Sequence, residues 1–185
     1  MGYIAVIDTE TNWEDQVMSI GIALADDRTF NPADTKYFVI TPECEIGGMY
    51  SDVLDLVSER KTVFCSMKQA MGKIKKWLGS VGTSKMFAYN ACFDRNHLTE
   101  LSSMDWYDIM RVAAYRQHNR FIPRNLPCCR TGRLKSHYGV EAITQMLTGD
   151  GSYAETHNAL YDALDELKII RLLDLPVEYY EAAKI

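Results

Sequence analysis

Three places in this 185-residue chain put acids or a histidine where chemistry can use them. Asp8 and Glu10 close an apolar run that starts at Tyr3. Side chains two apart on a strand point the same way, so both carboxylates project from one face at its carboxyl end. Core packing does not accept two acids there. Carboxylates held close repel, and hard divalent cations with oxygen ligands are the usual relief, although a solvated strand end gives the same Asp-x-Glu pattern. A second acid, Asp94, follows in Tyr89-Asn90-Ala91-Cys92-Phe93-Asp94, where an apolar strand passes through Asn90 into the first turn of a helix. A helix start favours an anion on its own account, and a functional site explains the acid equally well. The third place is His157-Asn158-Ala159-Leu160-Tyr161-Asp162, at the start of the last helix. Five helical positions turn a side chain by about 140°, so His157 and Asp162 can cooperate only if the histidine precedes the helix, on the polar loop that ends at Thr156. Taken alone, Asp162 reads as part of a solvated face with Asp165 and Glu166.

The elements that must hold these residues are legible from periodicity. Tyr3 to Asp8 and Val17 to Ala25 read as strands, and a third, Lys36 to Thr41, follows a turn around Asn31-Pro32-Ala33-Asp34; the three suggest an antiparallel meander. Met67, Ala70, Met71, Ile74, Trp77 and Leu78 keep helical spacing until Gly79 and Gly82 stop it. Met86 to Tyr89 is a further strand leading into a helix over residues 93–101, and Trp106 to Ala114 holds a short strand and then a helix. Residues 139–147 and 158–173 are helical, the second ending before Pro176. The class expected is α/β: an α+β central mixed five-stranded sheet flanked by helices, as one domain over residues 1–185.

The ordered combination of a strand-end D-x-E, an N-x-x-F-D after a later strand and H-x-A-x-x-D at a final helix resembles the DEDDh 3'-to-5' exonucleases. These are the ribonuclease T-like and DnaQ-like enzymes of the ribonuclease H-like fold. The resemblance runs from Ile4 to about Leu173 and fills all five family positions: Asp8, Glu10, Asp94, His157 and Asp162. The sibling class with a catalytic tyrosine wants it four residues before Asp162, where this chain has Asn158. Two departures stand out. Tyr89 precedes the second-motif Asn where many members carry His, and the first motif continues Thr11-Asn12-Trp13 rather than into a Thr-Gly turn.

The resemblance implies a two-metal mechanism with Mg²⁺ or Mn²⁺. By that resemblance Asp8 would be shared by both ions, Glu10 and Asp162 would complete the first site, Asp94 would support the second, and His157 would take the proton from the attacking water. The implied product is a nucleoside 5'-monophosphate released from a single-stranded 3' end of RNA or DNA. Relatives grip the terminal nucleotide just after the first motif, which makes Thr11 and Trp13 substrate-binding candidates, with Asn90 and Phe93 beside the second motif. Alternatives are an oligoribonuclease-type enzyme restricted to short oligonucleotides, a ribonuclease H-type endonuclease, and a non-catalytic nucleic-acid-binding module. Dimers are common in the family, and Gly47 to Ser66, with no element assigned, is free to meet a partner.

Net charge is −5 with a pI near 5.4, which on average disfavours a nucleic-acid partner. The average conceals two regions. Residues 109–140 contain seven basic side chains and no acid, a charge of +7, and the remainder carries −12. Arg111, Arg116, Arg120, Arg124, Arg130, Arg133 and Lys135 are interleaved with Phe121 and Tyr138, a pattern suited to a phosphate backbone, and Arg124 and Arg130 are the binding candidates. Five cysteines with no C-x-x-C pair fit neither a disulfide framework nor a zinc knuckle, and Cys128 and Cys129 receive no role. A reducing, cytoplasmic location is expected, with no export signal and no membrane span.

Overall fold

The computed structural model describes residues 2–185. Six strands form one mixed sheet: β1 (Tyr3–Thr11), β2 (Val17–Asp26), β3 (Pro32–Ile40), β4 (Thr62–Cys65), β5 (Lys85–Ala88) and β6 (Asp105–Asp108). Their order across the sheet is β4-β3-β2-β1-β5-β6. β1, β2 and β3 make the expected antiparallel meander, while β5 runs parallel to β1, β6 to β5 and β4 to β3. Six strands replace the expected five because β4 is only four residues long and leaves Phe64 60% exposed, too short to display a period. β3 also begins earlier than expected, at Pro32. The proline joins at an irregularity between Leu24 and Ala25, a place in a ladder that tolerates a residue without an N–H.

Five helices cover the sheet: α1 (Met67–Val81), α2 (Cys92–His97), α3 (Met110–Ala113), α4 (Val140–Thr148) and α5 (Ala159–Leu173). The helix expected through residue 101 ends at His97 and gives way to one 3₁₀ turn, Thr99–Leu101. Alternation along β1 feeds two cores. Ala5 and Ile7 face α1 through Ala70, Ile74 and Leu78, whereas Ile4 and Val6 face α5 through Ala163, Leu167 and Ile170, with Ile143 of α4 alongside. Continuing that alternation, Asp8 and Glu10 fall on the α5 side at the strand's carboxyl end.

α5 lies unusually close to the sheet. Gly21 is paired with Asp8 across β1 and β2, and a Cβ built on Gly21 would sit 2.1 Å from the Ala159 carbonyl. Only glycine allows the helix to start against the strand backbone. Asn158 caps that start. Its Oδ1 accepts the Leu160 N–H at 3.2 Å, and its amide donates to the Val53 carbonyl at 2.8 Å and to the Tyr37 hydroxyl at 3.1 Å. The segment Gly47 to Ser66 therefore folds back on its own domain, through a 3₁₀ stretch Ser51–Leu56 and then β4. Among the described residues, no helix is long and apolar enough to cross a membrane.

Candidate active site

Four elements converge at the carboxyl ends of β1 and β5. β1 supplies Asp8 and Glu10 from its α5 face and Thr9 from the opposite one. The Thr9 hydroxyl donates to Asp94 Oδ1 at 2.8 Å, fixing the carboxylate that α2 brings in, itself 2% exposed. Asn90 carries the chain from β5 into α2 with a left-handed φ of 61°, and Asp108 holds that turn by accepting the main-chain N–H groups of Asn90 and Met110, each at 3.0 Å. Asp162 lies in the first turn of α5. His157 precedes the helix, as the rotation argument requires, in a left-handed conformation with φ 58°. Its ring stacks on Tyr50 at 4.1 Å between centroids and 15° between planes.

The structure thus brings all five expected residues together, and Glu10, His157 and Asp162 place ligand atoms within 4.8 Å of one another. Electrostatics reveal how crowded the acids are. Burial, then mutual repulsion with Asp162, Glu155 and Asp94, pushes Glu10 up to about 8. Asp162 rises to about 8 by burial and by Glu155 and Asp165. Burial lifts Asp94 to about 7 against the lowering effect of the Thr9 hydrogen bond, and Asp8 rises well above the carboxylate range through burial and then Asp94. Among the described residues, none of these acids has a Lys, Arg or His ion-pair partner. Asp8 Oδ2 and Asp162 Oδ1 are buried without any hydrogen-bond partner among the described residues. Hard anionic oxygens, repelling one another and short of donors, are the donor set a divalent cation accepts.

The substrate candidates divide. Thr11 and Trp13 line a cleft of about 350 Å³ with Glu10, Asn12, Asp15, Met49 and Tyr50. Trp13 is 69% exposed and Met49 65%, so the tryptophan is not a core residue. Its loop is held rather than loose, since Trp13 N–H donates to the Gly47 carbonyl and Asn12 Oδ1 accepts from Glu14 and Gln16. Phe93, at the surface, leans on His97, whose Nε2 lies 3.2 Å from Asp15. Asn90 faces a second cleft, of about 310 Å³, with Tyr89, Met110, Arg133, Tyr138 and Gly139; the Arg133 guanidinium lies 4.7 Å over the Tyr138 ring. Arg124 and Arg130 are exposed, and among the described residues neither forms an ion pair. The basic stretch is not wholly free, because Arg111 meets Asp108 at 3.5 Å and Arg116 donates to the Pro123 and Leu126 carbonyls. Cys128 and Cys129 are half-buried free thiols.

Three contributors are absent from the motif reading. Thr9 sits inside the first motif but on the other strand face. Tyr50 is remote in sequence from His157 and lies in a segment without periodicity. Glu166 is not solvated as expected; it is 2% exposed and belongs to the acid cluster, a position signalled by its spacing of four from Asp162.

No protein-family model matches the chain, and no curated protein does. Solved structures do. The chain is similar to a 3'-exonuclease recognising the histone mRNA stem-loop, with a TM-score of 0.64 and 16% identity over 93% of this chain and 63% of that one. It is similar to the nuclease domain of 3'hExo, a DEDDh family member bound to rAMP, with a TM-score of 0.62, 16% identity and coverage of 91% and 90%. It also resembles E. coli exonuclease I in complex with a dT13 oligonucleotide, with a TM-score of 0.64 and 14% identity over 98% of this chain and 43% of the other. The chain therefore has the mixed-sheet, ribonuclease H-like fold of these exonucleases.

Proposed function

We propose that the chain is a metal-dependent 3'-to-5' exonuclease of the DEDDh type. The observation that carries this reading is the meeting of Asp8, Glu10, Asp94, Asp162 and His157 at one end of a sheet whose fold is shared with exonucleases. Asp8, Glu10, Asp94 and Asp162 are the residues that would hold Mg²⁺ or Mn²⁺. Two such ions supply Lewis acidity, a hydroxide at neutral pH and charge neutralisation at the phosphate. The protein's own groups do the rest. His157, steadied by Tyr50, removes a proton from the attacking water at an imidazole nitrogen. Thr9 aims Asp94. Trp13 stacks on a base in the cleft beside Glu10 and Thr11, while the exposed Arg124 and Arg130 attract the incoming strand. The rAMP and dT13 bound to the similar proteins support a nucleic-acid substrate.

The test is digestion of 5'-labelled RNA and DNA, single-stranded and duplex, and of a dinucleotide beside a twenty-mer, with Mg²⁺, Mn²⁺ or chelator. Loss of one nucleotide at a time from the 3' end, abolished by chelator and by Asp8→Ala, Asp94→Ala or His157→Ala in folded protein, is expected. Internal cleavage, cutting of a circular strand or metal-independent cleavage would overturn the reading.

A further inference from the structure

Glu166 is a buried acid that the five-residue mechanism leaves without a task. It lies one helical turn beyond Asp162 on α5, on the same face, and that face packs on β1. It is 2% exposed, and its Oε2 is enclosed with no hydrogen-bond partner. The charged side chains acting on it, Asp94, Asp162, Glu155 and Asp8, are all acids, and the favourable neighbour is the main-chain N–H of Tyr89. A glutamate enclosed in this way stays ionised only if a cation meets it, and among the described residues no Lys or Arg does.

The acids also fall into two groups. Glu10, Asp162 and His157 converge at one end of the cluster. Asp8 stands one strand repeat back from Glu10 on the same face of β1, and Glu166 one helical turn on from Asp162 along the same face of α5, which sets both deeper than that group, on the side where the buried Asp94 repels each of them. We infer that Glu166 is a fifth carboxylate ligand, serving with Asp8 and Asp94 the metal ion at that second end, so that protein oxygens hold an ion that would otherwise rely mainly on water. The inference rests on the reading of the cluster as a divalent-metal centre.

Calorimetric titration of the metal-stripped chain with Mn²⁺ tests it without reference to hydrolysis. The unaltered chain is expected to bind two ions. Glu166→Gln should weaken one of them at least tenfold and spare the other, while Glu10→Gln weakens the opposite one, circular dichroism showing both variants folded. Unchanged affinity at both sites of Glu166→Gln would overturn the inference and leave the metal reading standing. An unaltered chain that binds no Mn²⁺ would instead overturn the metal reading, and this inference with it. If Glu166→Gln fails to fold, Glu166→Asp is titrated: its shorter arm should weaken one site only, and two unweakened sites would count against a ligand role.

Discussion

Thr9 governs the aim of Asp94, because its hydroxyl is the side-chain donor that reaches that buried carboxylate. Removing a group that orients a metal ligand typically lowers activity or metal affinity by about 10- to 100-fold. Thr9→Val, equal in size and lacking the donor, is therefore expected to lower kcat by about that factor while KM for a short oligonucleotide changes little; steady-state kinetics checks it. Motif spacing could not expose this residue. Strand alternation sends Thr9 to the face away from Asp8 and Glu10, and only the packing of α2 against β1 brings Asp94 to it. The five motif residues were legible because each occupies a strand end or helix start that periodicity locates. Tyr50 was not, since nothing local to residue 50 announces a stacking partner more than a hundred positions on. Glu166 was open to reading, but two consecutive acids on a helix look solvated until a second layer of acids is known to face one of them.

At the scale of elements, the site depends on how α5 seats against β2. Gly21 leaves no room for a side chain beneath Ala159. Gly21→Ala would lift the helix start and carry Asp162 and His157 away from Glu10. Overpacking of this kind costs about 1–3 kcal/mol, so the urea midpoint should fall and activity should drop further than stability alone accounts for. Urea unfolding beside single-turnover cleavage separates the two effects; a variant of unchanged midpoint and rate would refute the seating argument. The meander, α1, α4 and α5 could all be read in advance because each runs for several periods. β4 and the early start of β3 could not, since one is a four-residue edge and the other begins on a proline, whose pairing depends on an irregularity in its neighbour.

At the scale of the whole molecule, charge is divided between a carboxylate cluster and a basic surface, and each half makes its own prediction. Glu10, Asp94 and Asp162 stand at about 8, 7 and 8 in the folded chain, above ordinary values of 4.5, 3.8 and 3.8. Without metal the folded state thus holds protons that the unfolded chain releases. Their stabilising contribution is full below about pH 4 and is lost as pH rises through 7 to 8. In EDTA the melting temperature is expected to fall by several degrees between pH 6 and pH 9, and added Mn²⁺ should flatten that slope; a scanning-fluorimetry series decides it. On the basic side, Arg124→Glu with Arg130→Glu should weaken single-strand binding and make its salt dependence shallower by about one unit of slope per arginine lost. Equal affinities across a salt titration would remove the basic stretch from the interface. The lip of the cleft has a different origin from its floor. Met49 and Tyr50 arrive on the long excursion between β3 and β4, whereas Asp8, Glu10, Asp94 and Asp162 are mounted on β1, α2 and α5. On the proposed reading, reactivity and discrimination therefore sit on separate parts. An exchange of the excursion that changes what is admitted has to keep an aromatic ring against His157 and a carbonyl for Asn158, because Tyr50 and Val53 supply both.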